Sequence, residues 1–341
     1  MRASSPRGAT SADRLIRRGA ARRLAEPGLV RPKAARICAM TSLDAQQSFA
    51  ARVGEILQEV IKFARELSDA TEADPVVGSQ ADDELNFNQE GGPKGPWGRS
   101  PVELAYTTAA LLYAAAGQYL RSLRQLLNDD TALFGFQVIT RALLEAAARS
   151  WWILDPACSV RERVERAYDE QYYSFDELRK LAAAMRGDFA NQVSSDVRLR
   201  ADAAELGLHE RTEKNAPFAR PTGVGSPRLN ATQVVAALSS HVEIADGERW
   251  YRTFSGIAHS ALYAQIGYWE PVRGPGVARE HLEPALPMTA IAHAAVLSIA
   301  AYLGAIERHA LLYGRDWKQL QSMRQSATTR IIALHDIHVV R

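Results

Sequence analysis

Cysteine is scarce in this chain of 341 residues: there are two, Cys38 and Cys158. They lie far apart and form no Cys-x-x-Cys pair, which excludes a disulfide framework and a cysteine zinc site and makes a reducing cytoplasm the expected compartment. Also missing is any period-two run of Val, Ile and Thr from which a strand could be read. No internal repeat of about 20–50 residues is present. Walker loop, Gly-rich dinucleotide turn, nucleophile elbow and zincin helix are all lacking, so neither a cofactor nor a metal is expected. Charge of one sign is lacking overall, at a net +2. The balance is nevertheless uneven: residues 1–39 hold ten basic and two acidic side chains, +8, which leaves −6 for the remainder. A mildly acidic body gives no global reason to expect a polyanionic partner.

The basic segment carries the pairs Arg17-Arg18 and Arg22-Arg23 without the apolar run that an export signal needs. It reads as a disordered leader over 1–39, with Met40 as the natural start and a single helical domain over 40–341.

What is present is helical periodicity. Phe49, Val53, Ile56, Leu57, Val60 and Phe63 recur at three and four, the mark of an amphipathic helix over 46–67. Residues 71–99, rich in Gly, Pro, Asn and acids, support neither period and read as a long loop. Ser100-Pro101-Val102-Glu103 is a capping box that opens a second helix. A third helix over 134–154 places Arg141, Glu145 and Arg149 on one face as a charge ladder. Further helices are expected over 160–184, from about 193 to 206, over "QVVAALSSHV" with Asn230 or Thr232 as cap, over about 247–269, and over two segments after residue 287. Residues 288–306 carry no formal charge and in length could span a bilayer, but their Ala, Ser, Thr and His content suits a buried bundle helix better, and no membrane partner is expected. The fold class is therefore all-α, an antiparallel helical bundle of about seven to eight helices.

The segment "WYRTFSGIAHSALY", residues 250–263, bears the sharpest pattern. Seven positions at 100° return to within about 20° of the start, so Arg252 and His259 share a face, with Ser255 and Tyr263 close to the same line. Trp250, Phe254, Ile257 and Ala261 cluster opposite. An Arg, six intervening residues and a His on a helix of an all-α chain is similar to the motif of the HEPN superfamily. "YRTFSGIAHS" together with "RALLEAAARSWWILD" resembles an uncharacterised bacterial helical family grouped near it, over about 100–315. The resemblance implies metal-independent ribonuclease chemistry, or nucleotide or RNA binding, in a toxin or defence system. Arg252 would bind the scissile phosphate through its planar fork, and His259 would exchange the proton of a ribose 2′-hydroxyl. It also implies a homodimer with the motif paired across the interface.

The same residues read as a non-enzymatic polar network if Arg252 pairs with Glu145 and His259 finds a Tyr or a carbonyl, in a bundle that binds a partner protein or small ligand. Other histidines point less clearly. His335 and His338 flank Asp336 without a second ligand pair, His293 reads as a satisfied core histidine, and Glu307, Arg308 and His309 read as a solvated or capping cluster at a helix end.

Overall fold

The computed structural model describes residues 34–69, 74–90, 100–127, 133–185, 190–212, 221–225, 228–261, 269–272, 281–284 and 287–339. The chain divides into a unit Met1–Ala45 and a unit Gln46–Arg341. The leader expected over 1–39 lies outside the described residues up to residue 33, and helix begins at Ala34.

Helix dominates, as the apolar spacing requires. Ten helices occur among the described residues, more than the seven to eight expected: α1 Ala34–Asp69, α2 Gln80–Glu90, α3 Ser100–Leu126, α4 Leu133–Ile153, α5 Val160–Met185, α6 Ala190–Glu205, α7 Ala231–His241, α8 Gly247–Ala258, α9 Met288–Leu312 and α10 Lys318–Val339. The excess comes chiefly from α2, inside the segment read as loop. Its own composition is a poor helix pattern, and tertiary contacts hold it: Ala81 is fully buried and Glu84 pairs with Arg163 of α5. Two short antiparallel hairpins accompany the helices, β1 Glu210–Thr212 with β2 Pro221–Val224, and β3 Trp269–Val272 with β4 His281–Pro284. Strands of three or four residues are too short to register as a period-two pattern.

The second unit has two hydrophobic clusters. The larger joins Phe49, Val53, Leu57 and Val60 of α1 to Leu120 and Leu123 of α3, Leu143 and Leu144 of α4, Leu238 of α7, Phe254 of α8, Leu297 and Leu303 of α9, and Leu320 and Ile331 of α10. Full burial of each such side chain contributes about 1.5–3 kcal/mol, so the expected α1 face is used as its spacing predicts. The smaller cluster gathers Tyr106, Ile153, Val164, Tyr168, Tyr172, Leu199 and Val224 from α3, α4, α5, α6 and β2. α4 packs against α3, α7, α8 and α9. α9 is long and apolar enough to cross a membrane by length and composition, and in the folded chain most of it is buried, fully so at Leu303 and Ala294.

α7 opens with a capping box in which the Asn230 side chain accepts from Gln233 N and the Gln233 side chain accepts from Asn230 N. The expected helix over 247–269 stops earlier, at Ala258. Ser260 takes φ +55°, its N–H donates to the Ile257 carbonyl, and Ala261 N–H donates to the Gly256 carbonyl. This is a Schellman closure with Ser260 in the left-handed position that usually falls to glycine. It turns the chain out of the helix immediately after His259, and the chain next appears as strand from Trp269.

Candidate functional site

The site is built on α8 and the facing side of α4. Phe254 and Ile257 of the expected stripe are buried and Trp250 is half-buried against the core, and the buried face of α8 also takes in Tyr251. Against this face α4 presents Arg141 and Glu145, one turn apart. Arg141 Nε donates to Glu145 Oε1 at 2.9 Å, and the Tyr251 hydroxyl donates to the same carboxylate oxygen at 2.5 Å. His259, at the C-cap of α8, places Nε2 3.3 Å from an Arg141 terminal nitrogen. A guanidinium only donates, so a hydrogen bond at this contact has Nε2 as its acceptor. Four side chains from two helices thus form one chain of polar contacts, with Glu145 as the acceptor that orients both Tyr251 and Arg141.

The electrostatics follow the geometry. Burial, aided by the hydrogen bond to Glu145 and its charge, pushes the Tyr251 phenol up to about 12. Burial works against the Arg141 charge, but the hydrogen bond with Tyr251 and the charge of Glu145 outweigh it and raise its pKa overall. Arg141 therefore remains a braced cation, while the Arg141 and Glu145 side chains keep 24% and 27% of their surface exposed. His259 is exposed. A small anion can approach the guanidinium and the imidazole together from solvent.

Arg252 stands apart from this chain of contacts. It is exposed and holds Glu248 of its own helix, with Nε and a terminal nitrogen each at 2.8 Å from Oε1. It lines a shallow cleft of about 700 Å³ with Asn230, Thr232 and Gln233 at the start of α7. The structure thus corrects the expected pairings: Glu145 takes Arg141 and Tyr251 in place of Arg252, and His259 meets Arg141. Ser255 is half-buried, and its hydroxyl makes no hydrogen bond among the described residues. Tyr263 lies outside the described residues. The charge ladder on α4 is broken at its third member, because Arg149 reaches Glu170 of α5 at 2.7 Å.

Tyr251 is the member that pattern reading missed. A tyrosine on the buried face of a helix needs a partner for its hydroxyl, and the acid of the α4 ladder was the available signal. His293 and the Glu307–His309 cluster also differ from expectation. His293 is exposed, with Nδ1 2.6 Å from the Thr289 carbonyl and its ring stacked on Trp250 at 4.2 Å. At the end of α9, Glu307 is buried against Arg324 at 2.7 Å. Arg308 stacks over Trp151 at 3.7 Å and pairs with Asp155. Burial, with the Arg315 charge, drives His309 down to about 4. Asp336 and His338 lie in α10, and their side chains are outside what the structure describes. No group of three His, Cys, Asp or Glu side chains converges among those described.

Comparison with protein-family models, with curated proteins and with solved structures finds no match to this chain.

Proposed function

We propose that this chain is a HEPN-like protein that binds RNA phosphate and cleaves RNA without a metal at the α4–α8 surface. The observation that carries the reading is the exposed imidazole of His259 held 3.3 Å from a guanidinium that Glu145 has already oriented. In the free protein Arg141 occupies the Nε2 lone pair. A phosphodiester entering the site draws the guanidinium onto its non-bridging oxygens, where the planar fork fits two of them. Nε2 is then free to accept the proton of the ribose 2′-hydroxyl. The 2′-oxygen bonds to phosphorus, the 5′-oxygen leaves with a proton from solvent, and the products are a 2′,3′-cyclic phosphate and a 5′-hydroxyl. Arg252 and the first turn of α7 receive a neighbouring phosphate of the strand. Two copies of the site act side by side in a homodimer, each offering its Arg141 and Arg252 to the RNA.

The test is cleavage of structured and single-stranded RNA by the full chain in chelator, beside Arg141→Ala, His259→Ala and Arg252→Ala. Loss of about 100-fold or more in the first two, with intact circular dichroism, is expected, the size typical of removing a general base or a charge-stabilising donor. Arg252→Ala is expected to weaken binding more than turnover. Sedimentation analysis checks the dimer.

A second reading rests on the shared Glu145 oxygen. By joining Arg141 and Tyr251 it also braces α4 against α8 in a non-enzymatic bundle whose surface binds a partner. RNA left intact by the wild type, together with loss of stability in Tyr251→Phe and Glu145→Gln, selects that reading.

A further inference from the structure

A second site lies on other helices. α1, α3, α9 and the start of the connection to α10 enclose a cleft of about 940 Å³, a volume at the upper end of small-molecule sites, which run to about 1,000 Å³. Its walls combine rings and cations. Tyr113, Tyr302 and His309 line it, with the Tyr113 and His309 rings edge to face at 5.3 Å. Tyr302 lies tight against α3 because residue 117 is glycine: a Cβ there would stand 3.0 Å from the Tyr302 hydroxyl and 3.2 Å from its ring.

Four cations, Lys62, Arg65, Arg121 and Arg315, face two carboxylates, Asp69 and Asp316. Both carboxylates have partners: Asp69 is 3.6 Å from Arg65, and Asp316 accepts from the Lys318 backbone N–H at 2.9 Å. Arg315 is positioned by the Asp74 carbonyl at 3.0 Å and lies over the Tyr313 ring at 5.1 Å. Arg121, exposed at the rim, has no carboxylate partner among the described residues. Burial and Arg315 keep His309 neutral, so the imidazole adds a hydrogen-bonding ring and no charge. An uncompensated cation at the mouth of an aromatic-walled cleft is complementary to a flat molecule with one anionic end.

We infer that this cleft binds a small organic anion with a planar aromatic body, its ring against Tyr113 and Tyr302 and its charged group on Arg121. Phosphate and carboxylate satisfy the same chemistry, and the experiment separates them.

Isothermal titration of the full chain at low salt uses adenosine monophosphate and 2-naphthoate as ring-bearing anions. Adenosine and 2-naphthamide serve as uncharged rings, and inorganic phosphate and acetate as ring-free anions. At least one ring-bearing anion is expected to bind about tenfold or more tightly than its two counterparts, a difference of about 1.4 kcal/mol. That affinity falls with added salt. Arg121→Ala is expected to weaken it about tenfold, and Ala114→Trp, which fills the cleft from an exposed position of α3, to abolish it. The variants are checked for unchanged helicity and melting temperature, and His259→Ala binds as the wild type does. Two outcomes overturn the inference: neither ring-bearing anion outcompetes its ring-free counterpart, or one does and both cleft variants bind it unchanged.

Discussion

Two clusters of the same three residue types, an arginine, a glutamate and a tyrosine, lie in different surroundings. In the first, Arg163 is fully buried. Its Nε and one terminal nitrogen donate to the Glu84 carboxylate at 2.9 and 3.2 Å, and the other terminal nitrogen donates to the Ile153 carbonyl at 3.0 Å. The Tyr106 hydroxyl donates to Glu84 at 2.8 Å. Tyr106 continues into an aromatic stack, edge to face with Tyr313 at 5.6 Å, which in turn lies flat on His309 at 4.1 Å. In the second, Arg141, Glu145 and Tyr251 repeat the pattern at a surface, and Arg141 meets an exposed histidine. The composition of a polar cluster therefore does not decide its role. Enclosure makes the first a brace whose hydrogen bonds are directed inward, and exposure leaves the second a cation and an imidazole that solvent and ligands can reach.

The largest effect should come from breaking the enclosed cluster. Arg163→Met leaves a buried carboxylate with two neutral donors, the Tyr106 hydroxyl and the Gln80 amide, and no cation, and the loss of an ion-pair partner in such a place costs about 3–5 kcal/mol in denaturant unfolding. Adding Glu84→Leu to that variant should restore much of the loss, because the two charges then leave together. A double variant no more stable than the single one would mean that the carboxylate is not what the guanidinium is there to hold.

Next is pH. The folded state lowers the His309 pKa to about 4 from 6.5, so the unfolded chain takes up this proton first on acidification. The contribution of the neutral ring is fully present above about pH 6.5 and is lost as pH falls to about 4. By linkage the total is about 3 kcal/mol. His309→Phe should flatten this part of the stability profile, and a slope that persists in the variant would assign it to other groups.

Smaller changes are expected at the open cluster. Glu145→Gln and Tyr251→Phe each remove hydrogen bonds that water can partly replace, so about 1 kcal/mol is expected in the same unfolding assay. A loss approaching that of Arg163→Met would erase the contrast between the clusters. The smallest change should follow His259→Ala, within about 0.5 kcal/mol of the wild type in stability, as suits an exposed side chain. If this variant instead melts far below the wild type, His259 serves packing, and its place beside Arg141 is a consequence of the helix end.

How much was legible in the sequence differs by element. The α1 face, the start of α3, the bounds of α4 and α5 and the Asn230 cap follow from local rules: apolar spacing, capping residues and breakers act within a turn or two of chain. Helical class was equally open to reading. α2 was not, because a segment of weak pattern is held by Glu84 reaching a residue 79 positions away. The end of α8 escaped as well, since a serine rather than a glycine takes the left-handed turn at residue 260. Of the stripe on residues 250–263, periodicity placed Arg252 and His259 on one face of one helix. Which partner each would meet depended on how α4 lies against α8, a non-local packing choice that brought Arg141, Glu145 and Tyr251 together and left Arg252 with Glu248. Short-range steric and hydrogen-bonding preferences are written residue by residue in the chain. Burial, and with it the line between an enclosed brace and a polar cluster open to solvent, exists only once distant segments have packed.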